Sequence, residues 1–191
     1  MIGPVNSKSL VLAAGLLAAL SLSGCTVRSN KDAAGREKDV DIKTPFGSMS
    51  VKKGGTDIKD TGLPPYPGAR PRKDEDGDSN ANVNISSSLF GLKVVATKFD
   101  SDDSPDKILS FYQKSLGKFG NVIQCSGGMD VNFHRHDKDD PVTCEGSGSE
   151  FQKALKAGTQ NNQHIVAVRS SGSGSTFAVV YVRAWDGKDT I

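Results

Sequence analysis

The 191-residue chain predicts an α+β fold, an antiparallel β-sheet with one main amphipathic helix packed on one face. Three observations predict it. Ile108, Tyr112, Leu116 and Phe119 recur at spacings of four, four and three, with Leu109 widening the stripe, which marks one good amphipathic helix. Leu92 to Phe99, His164 to Arg169 and Thr176 to Trp185 are rich in branched and aromatic residues, as strands are. Runs of strands around a single helix favour an antiparallel sheet over alternating β-α-β units.

Taken in order, Ser48 to Lys53 is a short strand in which Met49 and Val51 alternate with polar residues. Leu63 to Ala69 (LPPYPGA) is too rich in proline for regular structure and reads as a rigid turn. Arg72 to Asp78 reads as a charged surface loop, and Val83 and Ile85 alternate with polar residues before the Leu92–Phe99 strand. Phe46-Gly47 and Phe90-Gly91 each precede a Val-containing strand, a match ascribed to chance rather than duplication in a glycine-rich chain.

Ser104-Pro105-Asp106 starts the helix with a capping hydroxyl, a proline at the first position and an acid at the positive end of the dipole. The predicted helix spans 105–119 and stops at Gly120. A return strand follows at Asn121–Cys125, then a loop from Ser126 to Ser149. Phe151 to Ala157 is ambiguous between strand and helix, and Gln160 to Asn162 make a polar turn. Ser170 to Ser175 make a hairpin between two strands, the second of which (FAVVYVRAW) is apolar on both faces and therefore belongs mid-sheet.

Apolar residues make up 36% of the chain and aromatics 6%, enough for one small domain, 44–191, and too little for two cores. The 24 basic and 22 acidic residues nearly balance, so there is no basic field for nucleic acid and no such partner is expected.

Residues 1–24 read as an export signal. Lys8 supplies the basic start, and the Leu10–Leu20 run is too short to span a bilayer. Leu22-Ser23-Gly24-Cys25 then resembles the lipobox of bacterial lipoproteins. That resemblance implies a lipid thioether on Cys25, cleavage before it and anchoring to the bacterial membrane, facing the periplasm or the exterior. By analogy Thr26 favours the outer membrane where one exists. Residues 25–43, with five basic and four acidic residues between Arg28 and Lys43, read as a solvated tether spanning roughly 25 Å.

Lipidation of Cys25 would leave Cys125 and Cys144, which an oxidising envelope favours as a disulfide; two buried thiols are the alternative. A second resemblance covers about 66–125. Tyr66-Pro67-Gly68-Ala69, Asp103-Ser104-Pro105 and Phe111-Tyr112 look like an uncharacterised exported bacterial module with YPGA and DSP…FY motifs. It implies a small α+β envelope domain and carries over no catalytic residue.

The chemistry-bearing residues are few. His134 and His136, with Asp137, Asp139 and Asp140, have spacing that two imidazoles and a carboxylate could use for a metal, but Arg135 between them opposes a cation. Asp74, Asp76 and Asp78, and Asp100, Asp102 and Ser104, fail the calcium-loop template in their sixth positions, Ser79 and Pro105. His164 shares a strand face with Val166 and Val168 and reads as a partly buried edge residue. No phosphate loop or nucleophile elbow occurs, so no catalytic residue, metal ligand or cofactor is assigned. The expectation is a lipid-anchored, non-catalytic binding or structural module with an envelope-protein or cell-wall partner. A small-ligand or metal-binding lipoprotein, with Gly127–Thr143 as its mouth, and an envelope-polymer enzyme are the alternatives.

Overall fold

A computed structural model describes residues 25–31, 37–53, 56–74, 77–78, 80–126, 140–144 and 150–186. The elements are β1 (Thr26–Lys31), β2 (Glu37–Thr44), β3 (Gly47–Lys53), β4 (Arg70–Pro71), β5 (Lys73–Asp74), β6 (Gly77–Asp78), β7 (Ala81–Ser87) and β8 (Phe90–Ser101), then α1 (Pro105–Leu116), β9 (Ile123–Ser126), β10 (Lys153–Thr159), β11 (Asn162–Ser171) and β12 (Gly174–Asp186). Ten strands form one antiparallel sheet in the order β1-β2-β3-β7-β8-β12-β11-β10-β9, with β4 beside the far end of β8. The sheet with a single α-helix among the described residues is the α+β architecture expected.

β12 lies between β8 and β11, where a strand apolar on both faces must lie. On one side of it Phe177 and Val179 join Phe99, Leu155, Val166 and Val168 under the helix stripe of Ile108, Leu109, Tyr112 and Leu116. The segment from Ile58 to Tyr66 completes this layer, burying Ile58, Leu63 and Tyr66. On the other side Ala154, Ala167 and Ala178 stand in one row across β10, β11 and β12, within a second core containing Phe151, Ile165, Val180 and Val182.

Several local expectations shift. The α-helix stops at Leu116, and Gly117–Phe119 continue it as a 3₁₀ turn. The Ser104 hydroxyl makes no cap; its carbonyl instead accepts from the Lys107 and Ile108 amides. The ambiguous 151–157 stretch contributes to strand β10, and the return strand β9 pairs with β10 at the sheet edge. The Arg72–Asp78 loop contains the short β5–β6 pair.

Residues 26–31 and 37–44, within and just beyond the stretch read as a tether, form strands β1 and β2. Their charge conceals a period of two. Val27 on β1 and Val40 and Ile42 on β2 point one way, against Met49 and Val51 of β3 and then Val83 and Ile85 of β7. The row runs on through Val94 to the buried Val182, so the apolar side of these strands continues the second core.

Candidate functional site

Cys25 precedes the first residue of β1 and is exposed. Thr26 pairs with Lys43, so Cys25 sits at the sheet end where β2 turns into β3. Gly47 pairs with Ser87, which brings the β7–β8 turn to the same end. The match between Phe46-Gly47 and Phe90-Gly91 is therefore spatial as well, since each pair opens a strand at this end. A shallow cleft of about 440 Å³ lies between the two turns, lined by Lys43–Ser48 and Ser86–Ser88.

The residues of the YPGA and DSP…FY motifs come together on the helix side. The Ala69 amide donates to the Tyr66 carbonyl at 3.1 Å, closing a turn in which Pro67 takes the second place and Gly68 a left-handed φ of 76°. The turn points Tyr66 at the helix start. Its hydroxyl donates to Asp103 Oδ2 at 2.7 Å, and its ring meets Phe111 edge-on with centroids 5.0 Å apart. Lys107 Nζ holds the other oxygen of Asp103 at 2.6 Å, and the Ser175 hydroxyl donates to its carbonyl. Lys107 and Tyr66 together hold the Asp103 carboxyl below its ordinary range. Burial, and then the Asp103 hydrogen bond, push the Tyr66 phenol up to about 12.

The neighbouring acids are committed to arginines. Arg70 makes a two-pronged pair with Asp102, at 2.7 and 2.9 Å, and Arg72 donates to Asp100 Oδ1 at 3.0 Å. Thr176 donates to that same oxygen at 2.7 Å. Asp100 and Asp102, which the calcium template brought to notice, thus hold β4 against β8 and the start of α1. Sequence spacing gave no sign of Arg70 or Arg72 as their partners.

His164 is not at an edge. β11 has β12 on one side and β10 on the other, and the imidazole is buried. It stacks on Phe119 with ring centroids 3.5 Å apart and lies 4.8 Å from the Tyr181 ring. Its Nδ1–H donates to the Thr61 carbonyl at 2.9 Å, and burial lowers its proton affinity more than that carbonyl restores it. These contacts make it a neutral packing group that ties the 58–61 turn and the end of the helix to the sheet.

Cys125 and Cys144 are bonded, with Cα atoms 5.3 Å apart. The Val142 amide donates to the Gly158 carbonyl and the Gln160 amide to the Asp140 carbonyl, so 140–144 runs along the edge of β10 beyond β9. The buried Lys156 reaches over to the Thr143 carbonyl at 3.2 Å. His134, His136, Asp137 and Asp139, with most of the Gly127–Thr143 mouth, lie outside the described residues. Among the described residues no group of three metal-ligating side chains occurs.

Among the described residues, fold and site together define an α+β domain with one α-helix, whose strand β1 begins directly after an exposed cysteine. No family model, curated protein or solved structure matches the chain.

Proposed function

We propose that this is a lipid-anchored protein of the bacterial cell envelope, held by acyl chains on Cys25, whose folded domain serves as a non-catalytic binding or structural module. The observation that carries the reading is the sequence Leu22-Ser23-Gly24-Cys25 at the end of an apolar run too short to span a bilayer. Two further features support it. The remaining cysteines, Cys125 and Cys144, are paired, as suits an oxidising compartment, and Cys25 alone keeps a free, exposed thiol. Among the described residues, Asp100, Asp102 and Asp103 are engaged in ion pairs and His164 in an aromatic stack. The partners that follow are the membrane, through the lipid, and an envelope protein or cell-wall polymer, through the domain.

Intact mass of the protein extracted from membranes tests the anchor. The reading requires a chain that starts at Cys25 with diacylglyceryl mass added, and a Cys25→Ser variant that leaves the membrane fraction. An uncleaved, unmodified chain would overturn it. Cross-linking in the envelope then tests the module: a stoichiometric protein or cell-wall partner supports it, and capture of background alone counts against it.

A further inference from the structure

The largest exposed apolar side chains of the described residues gather at one place. Phe46 is 82% exposed, Leu89 80% and Phe90 52%. Phe46 and Leu89 lie on the β2–β3 and β7–β8 turns, which the Gly47–Ser87 pairing sets side by side, and Phe90 opens β8 directly after the second turn. Val27 (65% exposed) and Met49 (38%) continue the apolar surface inward on the first rows of β1 and β3.

The turns do not need apolar residues. In one, the Thr44 hydroxyl donates to the Gly47 carbonyl and accepts from the Phe46 amide; in the other, the Ser87 hydroxyl donates to the Phe90 carbonyl and accepts from the Leu89 and Phe90 amides. Thr44 and Ser87 set both geometries, so Phe46 and Leu89 occupy positions where polar residues or glycine would serve the fold as well. Two large hydrophobes spread into water at adjacent turns mark a contact surface.

What covers the surface is indicated by Cys25. It is joined to Thr26, whose pairing with Lys43 puts it at the same sheet end as the two turns. With β1 beginning at once, no free tether separates a lipid on Cys25 from this end. The charges agree. Arg28, Lys43, Lys93 and Arg183 lie within four residues of this end on their strands, against Asp41 and Asp186, an excess that suits anionic headgroups.

We propose that this sheet end is a second membrane contact, in which Phe46, Leu89 and Phe90 enter the boundary between headgroups and acyl chains beside the lipid on Cys25 and fix the domain's orientation. The proposal rests on the lipoprotein reading above. The acyl chains on Cys25 hold the protein to the bilayer at a single point, and apolar side chains inserted beside them add attachment and fix the domain's orientation.

The test couples the chain from Cys25 to Ile191 through its only free thiol to a maleimide lipid in vesicles of phosphatidylethanolamine and phosphatidylglycerol. This makes the result independent of whether the cell lipidates Cys25, which intact mass decides. Single Phe46→Trp and Leu89→Trp variants are compared with Ser173→Trp, on the β11–β12 turn at the opposite end, after subtraction of the signal from Trp185. Lipids brominated near the top of the acyl chains should quench Trp at 46 and 89 severalfold more than at 173. Equal quenching at both ends, or none at 46 and 89, overturns the proposal. In the unattached Cys25→Ser chain, added Phe46→Ser, Leu89→Ser and Phe90→Ser changes should lower vesicle partitioning by about tenfold, with the Cys125–Cys144 bond and circular dichroism unchanged. Unchanged partitioning overturns the proposal, as does a lipid-free dimer that the same three changes dissociate, since the surface would then join two copies.

Discussion

Replacing Tyr66 by Phe removes one oxygen and leaves the ring. The ring of Tyr66 is buried against Phe111 at 5.0 Å, Phe177 at 5.9 Å and Tyr112 at 6.3 Å, and Phe preserves all three contacts. What goes is the hydrogen bond to Asp103 Oδ2. A bond to a charged acceptor contributes about 1.5–3 kcal/mol, and the low end applies, since the Asp103 side chain is 33% exposed and keeps Lys107. We expect a loss of about 1.5 kcal/mol, which lowers Tm by roughly 3–6 °C in a domain of this size. Urea unfolding should shift in midpoint with an unchanged slope.

The pH dependence has two limbs, an alkaline one set by burial of the phenol and then its bond to Asp103, and an acid one set by Asp103. With its folded proton affinity raised from 10.0 to about 12, Tyr66 contributes stability that is fully present below pH 10.0 and is lost as pH rises through 12. With its affinity lowered from 3.8, Asp103 contributes stability present above that value and lost as pH falls through its folded value. The margin of the wild type over Tyr66→Phe should therefore be widest between 3.8 and 10.0 and narrow on both sides. Tyr112 is raised chiefly by burial, a contribution common to both proteins, and only its smaller coupling to the Tyr66 charge is lost in the variant. Equal midpoints at pH 7, or a margin that stays flat from pH 8 to 12, would refute the reasoning.

Three other outcomes are expected. Joint Cys125→Ala and Cys144→Ala replacement should cost about 3 kcal/mol by the chain-entropy argument for a span of 19 residues, and reductant should produce the same Tm loss in the wild type but none in the variant. Gly158→Ala should cost about 3 kcal/mol or more in denaturant titrations, because φ is 106° and the new Cβ would stand 2.1 Å from the Asn162 carbonyl oxygen. His164 is held neutral by burial, so its contribution is present above pH 6.5 and lost as pH falls through its lower folded value; His164→Phe should flatten the stability profile there, and the imidazole NMR titration should fall below 6.5.

Much of the fold was legible where one residue pattern had one physical solution. Pro105 and the Ile108–Leu116 stripe admit only a helix start and a buried helical face, and the two-sided apolarity of Phe177–Val182 admits only an interior strand. β1 and β2 were hidden because their period of two is carried by Val27, Val40 and Ile42 amid charges, and composition alone reads such a stretch as solvated. The charges themselves suit the place, since β1 is the sheet edge and charged edges discourage further pairing. Period also put His164 on the right face, but sequence gives no strand order, so it could not show that β10 covers β11. The cysteine pairing followed from counting. The Tyr66–Asp103 bond joins residues 37 apart through a turn and a strand edge, and no local spacing encodes it. The Phe-Gly pairs at Phe46 and Phe90 looked in the sequence like a chance match, and only the Gly47–Ser87 register sets their turns side by side.

That register also explains why the apolar end lies on the N-terminal part of the sheet. From β8 through β10 both faces carry buried core, so a substitution there disturbs packing on one side or the other. β1, β2, β3 and β7 present on the helix side Arg28, Asp41, Ser50 and Asn84, which lie in one row with Lys93 of β8. Their apolar side is half-buried, and β1 itself is exposed along its length. This part of the sheet draws its order from hydrogen-bonded continuity with β8 more than from a core of its own. Its turns are consequently free to carry side chains chosen for an outside contact. An anchor at Cys25 and apolar side chains at Phe46, Leu89 and Phe90 would hold together from outside the strands that the core supports least.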